Sequence, residues 1–182
     1  MKKFFSMMGD FSIISSLRVS TPEKAVEDIA DSERQGAVGF LLHAELLERQ
    51  YRNVDAIRKI LRSTQKPVMI LNYRTDGADD DGGLNQLKLD AILAGAAAAD
   101  VPMHTYDGDP KKSLAGCAKS FAERQPEEVS MDEKAIERQK ALIGKMHAVG
   151  GEVLMSVHVG TMLSAQQAYD LAEEMERRGA DI

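Results

Sequence analysis

The stretch KPVMILNYRTDGADDDGG, residues 66–83, decides the fold. It opens on Lys66-Pro67, a pair that ends a helix, because proline lacks an amide donor and restrains the residue before it. Val68 to Leu71 is then an unbroken apolar run, the pattern of a strand buried on both faces. Asn72, Tyr73 and Arg74 follow at once as polar groups at the strand end, and an Asp- and Gly-rich loop carries the chain to Gly83. A helix from about Leu84 to Leu93 closes the unit near Gly95. Strand, polar strand end, loop and helix make the repeating module of parallel α/β proteins.

The same module recurs on both sides. Upstream, an apolar run from Phe11 to Val19 precedes a helix that Thr21 caps, with Pro22 at its first position and Glu23 at its positive end; Gly36 stops it. A second run, Ala37 to Leu42, leads to a helix capped by Asn53, with Val54, Ile57, Ile60 and Leu61 at helical spacing. Downstream, a fourth run near Val101 to Tyr106 is weakened by Pro102. A short helix is expected from Ser113 to Glu123. Ser130 with Glu133 reads as a capping box opening a helix that ends at Gly150-Gly151. The fifth run is Val153 to Val157, and Ser164 with Gln167 caps a last helix that stops at Gly179. Residues 180–182 read as the approach to another strand.

Five βα units in alternation predict a parallel sheet, either doubly wound or closed as a barrel, with ligand chemistry at the C-terminal strand ends. No Gly-rich phosphate fingerprint follows the first strand, which disfavours a dinucleotide fold. The expectation is an α/β chain, a TIM-type (β/α) barrel that is incomplete at about five units, with residues 1–182 as one C-terminally truncated domain. Five strands would leave open sheet edges, so self-association or a homo-oligomer is expected.

Composition narrows the function. The 182 residues are 43% hydrophobic and 29% charged, an ordinary globular balance. A net charge of −6 gives no reason to expect a nucleic-acid or membrane partner. No apolar run approaches the ~18 residues of a membrane span. The single cysteine, Cys117, permits no internal disulfide and fits a cytoplasmic protein. DGADDDGG lacks the spacing of a calcium loop and reads as a solvated turn, so neither a metal nor another cofactor is expected. The ten methionines read as core filling.

The candidate site residues stand at strand ends: His43 and Glu45 after the second, Asn72, Tyr73 and Arg74 after the third, Ser156 and His158 after the fifth. In a barrel they would converge at one mouth. An arginine there can clamp a carboxylate with paired hydrogen bonds, and a histidine can move protons near neutral pH. The plainer alternatives are that Arg74 pairs with Asp76, Asp79, Asp80 or Asp81, and that the histidines are structural hydrogen-bonders. His147 lies on a helix near its end and His104 on an ambiguous strand.

From about Glu23 to Ile182 the chain resembles the type I 3-dehydroquinate dehydratases. GAVGFLLHAELLE (36–48), KPVMILNYRTDGADDDGG (66–83), AVGGEVLMSVHVGTMLSAQQ (148–167) and EEMERRGADI (173–182) carry the resemblance. It implies a (β/α)₈ fold and the lyase reaction of the shikimate pathway in aromatic amino acid biosynthesis, from 3-dehydroquinate to 3-dehydroshikimate through a lysine Schiff base. It also implies that His158 is the catalytic proton shuttle, that Arg74 binds the substrate carboxylate, and that Asp81 stands where the family often has a Glu before Gly-Gly. Ser156 and His43 would join the substrate-binding residues. The second strand departs from the family: Leu41 and His43 stand where Glu-x-Arg is usual. The family's lysine lies on the strand after RRGADI, so this chain alone is expected to lack it and to be inactive. The alternatives are a degenerate homologue that binds a small carboxylate, or another TIM-barrel lyase or aldolase.

Overall fold

The computed structural model describes residue 5 and residues 8–9, 11–74, 80–108, 129–157 and 163–182. Among these, five parallel strands alternate with helices in an open sheet of order β1-β2-β3-β4-β5. The strands are β1 (Ile14–Leu17), β2 (Gly39–His43), β3 (Val68–Leu71), β4 (Ala98–Pro102) and β5 (Glu152–Ser156). The helices are α1 (Pro22–Arg34), α2 (Val54–Leu61), α3 (Asp81–Ala94), α4 (Glu133–Ala148) and α5 (Ala165–Arg178). The α/β fold of βα units expected from the sequence is thus present. The helix expected over 113–123 lies outside the described residues.

The residues divide into two compact units, Met1–Asp100 with Met146–Glu152, and Val101–Lys145 with Val153–Ile182. In the first, registers Ser16↔Leu41, Leu41↔Met69 and Met69↔Ala98 align the strands. Because side chains alternate, one face carries Ser16, Leu41, His43, Met69 and Leu71, and the other Leu17, Phe40, Leu42, Val68 and Ile70. The second face is the core. Phe40, Leu42 and Ile70 are fully buried with Ile29 of α1, Ile57 and Ile60 of α2, and Ile92 of α3. Burying each such side chain is worth roughly 1.5–3 kcal/mol. Ser15, on this face, meets Ser32 of α1 at 2.9 Å. The first face sets Ser16 and His43 beside Leu41 and the buried Met69 and Leu71.

Helix starts follow their caps. Thr21 accepts from Lys24 N at 3.2 Å, Asn53 from Ala56 N at 3.0 Å, and Ser164 and Gln167 form the full capping box. Three expectations need correction. α3 begins at Asp81 rather than Leu84, because Asp80 accepts from Gly83 N at 3.0 Å and caps a turn earlier. Ser130 forms no box with Glu133: its hydroxyl donates to Asp107 at 2.6 Å, while Asp132 accepts from Ala135 N at 2.8 Å and caps α4. β4 also starts earlier than the run at Val101, since Ala98 and Ala99 are already in the sheet, and Pro102 closes the strand rather than interrupting it.

In the second unit, Met103 N donates to Ser156 O at 2.9 Å, and Asp181 N to Val153 O at 2.9 Å. Gly179 ends α5 at φ +106°, a conformation that glycine adopts without strain.

Candidate functional site

The first unit gathers its polar side chains on the strand face that the helices leave free. His43 ends β2 there. Its Nδ1 lies 2.7 Å from Glu45 Oε1 and its Nε2 3.1 Å from Ser16 Oγ of β1. Glu45 sits in the short turn Ala44–Leu46, with its side chain 7% exposed against 12% for His43. The carboxylate therefore holds the imidazole with Nδ1 as donor and leaves Nε2 facing the Ser16 hydroxyl, which is solvent-exposed. The Tyr73 ring lies 6.4 Å from that of His43, and its phenol donates to Asp100 Oδ2 on buried β4.

Arg74 reaches the first turn of α3. Its Nε and Nη2 donate to the two oxygens of Asp81 at 2.7 and 2.5 Å, a two-pronged ion pair. Pairing with Asp81, one of the alternatives open in the sequence, is present; Asp76 and Asp79 lie outside the described residues. Asn72 braces the same turn by donating to Leu84 O at 3.1 Å.

Lys88, on α3, is 1% exposed. Burial pushes its ammonium down to about 8, against the opposing pull of Asp100, Asp81 and Glu45. Each of those carboxylates already bonds a strand-end group: Asp100 takes Tyr73, Asp81 takes Arg74 and Glu45 takes His43. Lys88 thus feels the charge of a carboxylate from each of the three pairs. Glu45 Oε2 and Asn85 Oδ1 are buried with no hydrogen-bond partner among the described residues, and buried orphans of this kind collect at sites rather than in cores.

The structure therefore brings together His43, Glu45 and Tyr73, joins Arg74 to Asp81, and adds Ser16, Asp100 and Lys88, which the sequence reading did not select. Lys88 stands on a helix, where a lysine by itself marks nothing. Its signal was positional: Asn85, Lys88 and Ile92 share the buried stripe of α3, while Leu93 is exposed. Ser156 ends β5 in the second unit, and its carbonyl accepts from Met103 N. His158 lies outside the described residues. Among those residues no group of three His, Cys, Asp or Glu is disposed to hold a metal ion, and no helix is long and apolar enough to cross a membrane.

Solved structures define the class of fold. The chain is similar to the 3-dehydroquinate dehydratase of Geobacillus kaustophilus HTA426, with TM-score 0.68 and 10% identity over 93% of this chain and 59% of that one. It is similar to the enzyme of Enterococcus faecalis, with TM-score 0.65 and 14% identity over 96% and 65%. It is also similar to the type I enzyme of Clostridium difficile, solved with covalently modified comenic acid, with TM-score 0.68 and 11% identity over 96% and 61%. The chain thus spans about three-fifths of the length of the dehydratases it matches, and at these identities the likeness is one of fold, that of the TIM-barrel enzymes. No family model and no curated protein matches the chain.

Proposed function

We propose that the polar strand face of the first unit binds a small carboxylate and moves a proton on it, as a lyase of the 3-dehydroquinate dehydratase kind. The observation that carries this reading is the pairing of His43 with buried Glu45 one strand away from Arg74, in a fold shared with those dehydratases. Arg74 supplies the clamp: a substrate carboxylate presents the same two oxygens as Asp81 and can replace it on the guanidinium. His43 accepts or donates the proton through Nε2, and Glu45 keeps the tautomer that makes this possible. The resemblance by itself assigns substrate binding to Ser156 and a proton-shuttle role to His158.

A carboxylate-binding homologue without turnover is the second reading. It is favoured by the closed Arg74–Asp81 pair and by Leu41 and His43 where the family has an acid and an arginine.

Calorimetric titration with 3-dehydroquinate, run beside a turnover assay and borohydride trapping read by mass spectrometry, tests both readings. Saturable binding that Arg74→Ala abolishes is expected. Turnover selects the lyase, binding without turnover or trapped adduct selects the homologue, and an absence of binding overturns both.

A further inference from the structure

The Ser16–His43–Glu45 line has a consequence that the dehydratase reading does not use. Ser16 is exposed, so water could satisfy its hydroxyl, yet Oγ lies 3.1 Å from His43 Nε2. The far side of the same ring is held at 2.7 Å by a carboxylate that is nearly buried. Burying a carboxylate is costly unless its partners compensate, and here one oxygen has only the imidazole while the other has no hydrogen-bond partner among the described residues. A hydroxyl, an imidazole and an orienting carboxylate in line are the parts of an activated nucleophile, recognised by geometry rather than by chain order.

We propose that Ser16 is a nucleophile activated by His43 and Glu45, and that the chain hydrolyses small, activated carboxylic esters through an acyl-Ser16 intermediate. Ser16 Oγ bonds to the ester carbonyl carbon while its proton passes to His43 Nε2. The carbon–alkoxy bond breaks, and the leaving alkoxide takes that proton and departs as the alcohol. Water then attacks acyl-Ser16, giving its proton to Nε2. The acid leaves and Ser16 Oγ recovers the proton. Ester and water become acid and alcohol, with no other reactant. Glu45 is a positioning residue: it does not take the proton but fixes the ring and stabilises the imidazolium. Ser16 is exposed, so a small ester can reach its hydroxyl from solvent.

The test is incubation of the full chain with p-nitrophenyl acetate, with peptide mass mapping of acetylated positions and release of nitrophenol followed in parallel. Acetylation of Ser16 is expected. His43→Asn and Glu45→Gln should slow it by ~10²–10⁴-fold, the range for loss of a positioned base or its orienter, with circular dichroism unchanged. Should either variant fail to fold, Ser16→Cys keeps the question open to decision. Its thiol, activated by His43, should react with iodoacetamide at least ~10-fold faster than Cys117 of the same molecule, the two being separated by mapping. Acetylation that spares Ser16, or Ser16 labelling that persists at full rate in a folded His43→Asn chain, overturns the proposal. Neither outcome bears on 3-dehydroquinate binding, which is read through Arg74.

Discussion

Among the described residues two long cations are buried, Arg178 and Lys88, and they are treated in opposite ways. Arg178, in the last turn of α5, has a fully buried side chain and places four of its five guanidinium N–H groups on protein acceptors. Nε donates to Glu174 at 2.7 Å, Nη1 to Gln139 Oε1 at 2.9 Å and Met103 O at 3.2 Å, and Nη2 to Ser130 O at 2.8 Å. Gln139 is itself locked, donating to Met103 O at 2.9 Å and Thr105 O at 2.7 Å. Arginine suits this work because its planar fork has fixed directions and a charge that is never lost. Lys88 is buried just as deeply, but its surrounding carboxylates already serve Tyr73, Arg74 and His43, and burial loosens its hold on its proton. A cation held by its own carboxylate, an amide and two carbonyls holds structure together. A cation whose carboxylates are shared with strand-end groups is poised for charge rearrangement, and perturbed groups of this kind cluster at functional sites.

The comparison breaks first at Arg178. Arg178→Ala removes the donor from Gln139 Oε1 and Ser130 O, while Met103 O keeps Gln139 Nε2 and Ser130 N and Glu174 keeps Arg177. A loss of roughly 2–6 kcal/mol is expected, about 1–3 kcal/mol for each of the two acceptors left unsatisfied. Urea unfolding followed by circular dichroism reads it. A variant within ~1 kcal/mol of the parent would show that the network is not structural.

Lys88 should show itself through pH. Below about 8 its amine is protonated whether the chain is folded or not, and the folded state carries a desolvated charge. Between about 8 and the ordinary 10.5 the unfolded chain keeps that proton and the folded chain does not. The unfolded state then binds more protons, so stability rises with pH across this window, by on the order of 3 kcal/mol, and is flat in this group above it. Lys88→Met should lose the rise. Parallel stability curves for the two proteins between pH 7.5 and 10.5 would refute the assignment.

A smaller effect is expected at Tyr73→Phe, which strips a donor from buried Asp100 and should cost about 1–3 kcal/mol. The freed carboxylate charge should also tighten Lys88's hold on its proton and move the pH rise upward. A rise that stays in place would uncouple Tyr73 from the cluster.

These residues show where sequence reading works. The fold was legible because the strands at Phe40–Leu42 and Val68–Leu71 are apolar on both faces, and because Thr21, Asn53 and Ser164 are caps whose meaning is local. β4 was misjudged because Ala98 and Ala99 carry too little side chain to show a period and alanine favours helix. At the site, His43 and Arg74 could be picked because polar groups at strand ends have no packing reason to be there. Ser16, Asp100 and Lys88 could not. Their roles come from which neighbours β1, β4 and α3 bring, and Lys88 looks like any helix lysine until the helix is turned toward the core.

The smallest expected effect is the most informative about ligand binding. Asp81→Asn keeps the shape of the side chain at the first position of α3 and removes its charge. The helix loses a favourable anion at its positive end, worth about 0.3–1 kcal/mol, so the fold should survive. The guanidinium of Arg74 loses its charged partner, with one oxygen left to accept a neutral hydrogen bond, about half as strong. If Arg74 is the carboxylate clamp, Asp81 competes with the ligand for it, and the variant should bind 3-dehydroquinate more tightly by ~1.5–5-fold, since an ion pair near the surface is worth only about 0.2–1 kcal/mol. If Arg74 is merely a surface partner of Asp81, affinity will not change, although thermal stability still falls slightly. Measuring affinity and stability on the same variant therefore separates a clamp waiting for its ligand from an ion pair that ties residue 74 to α3.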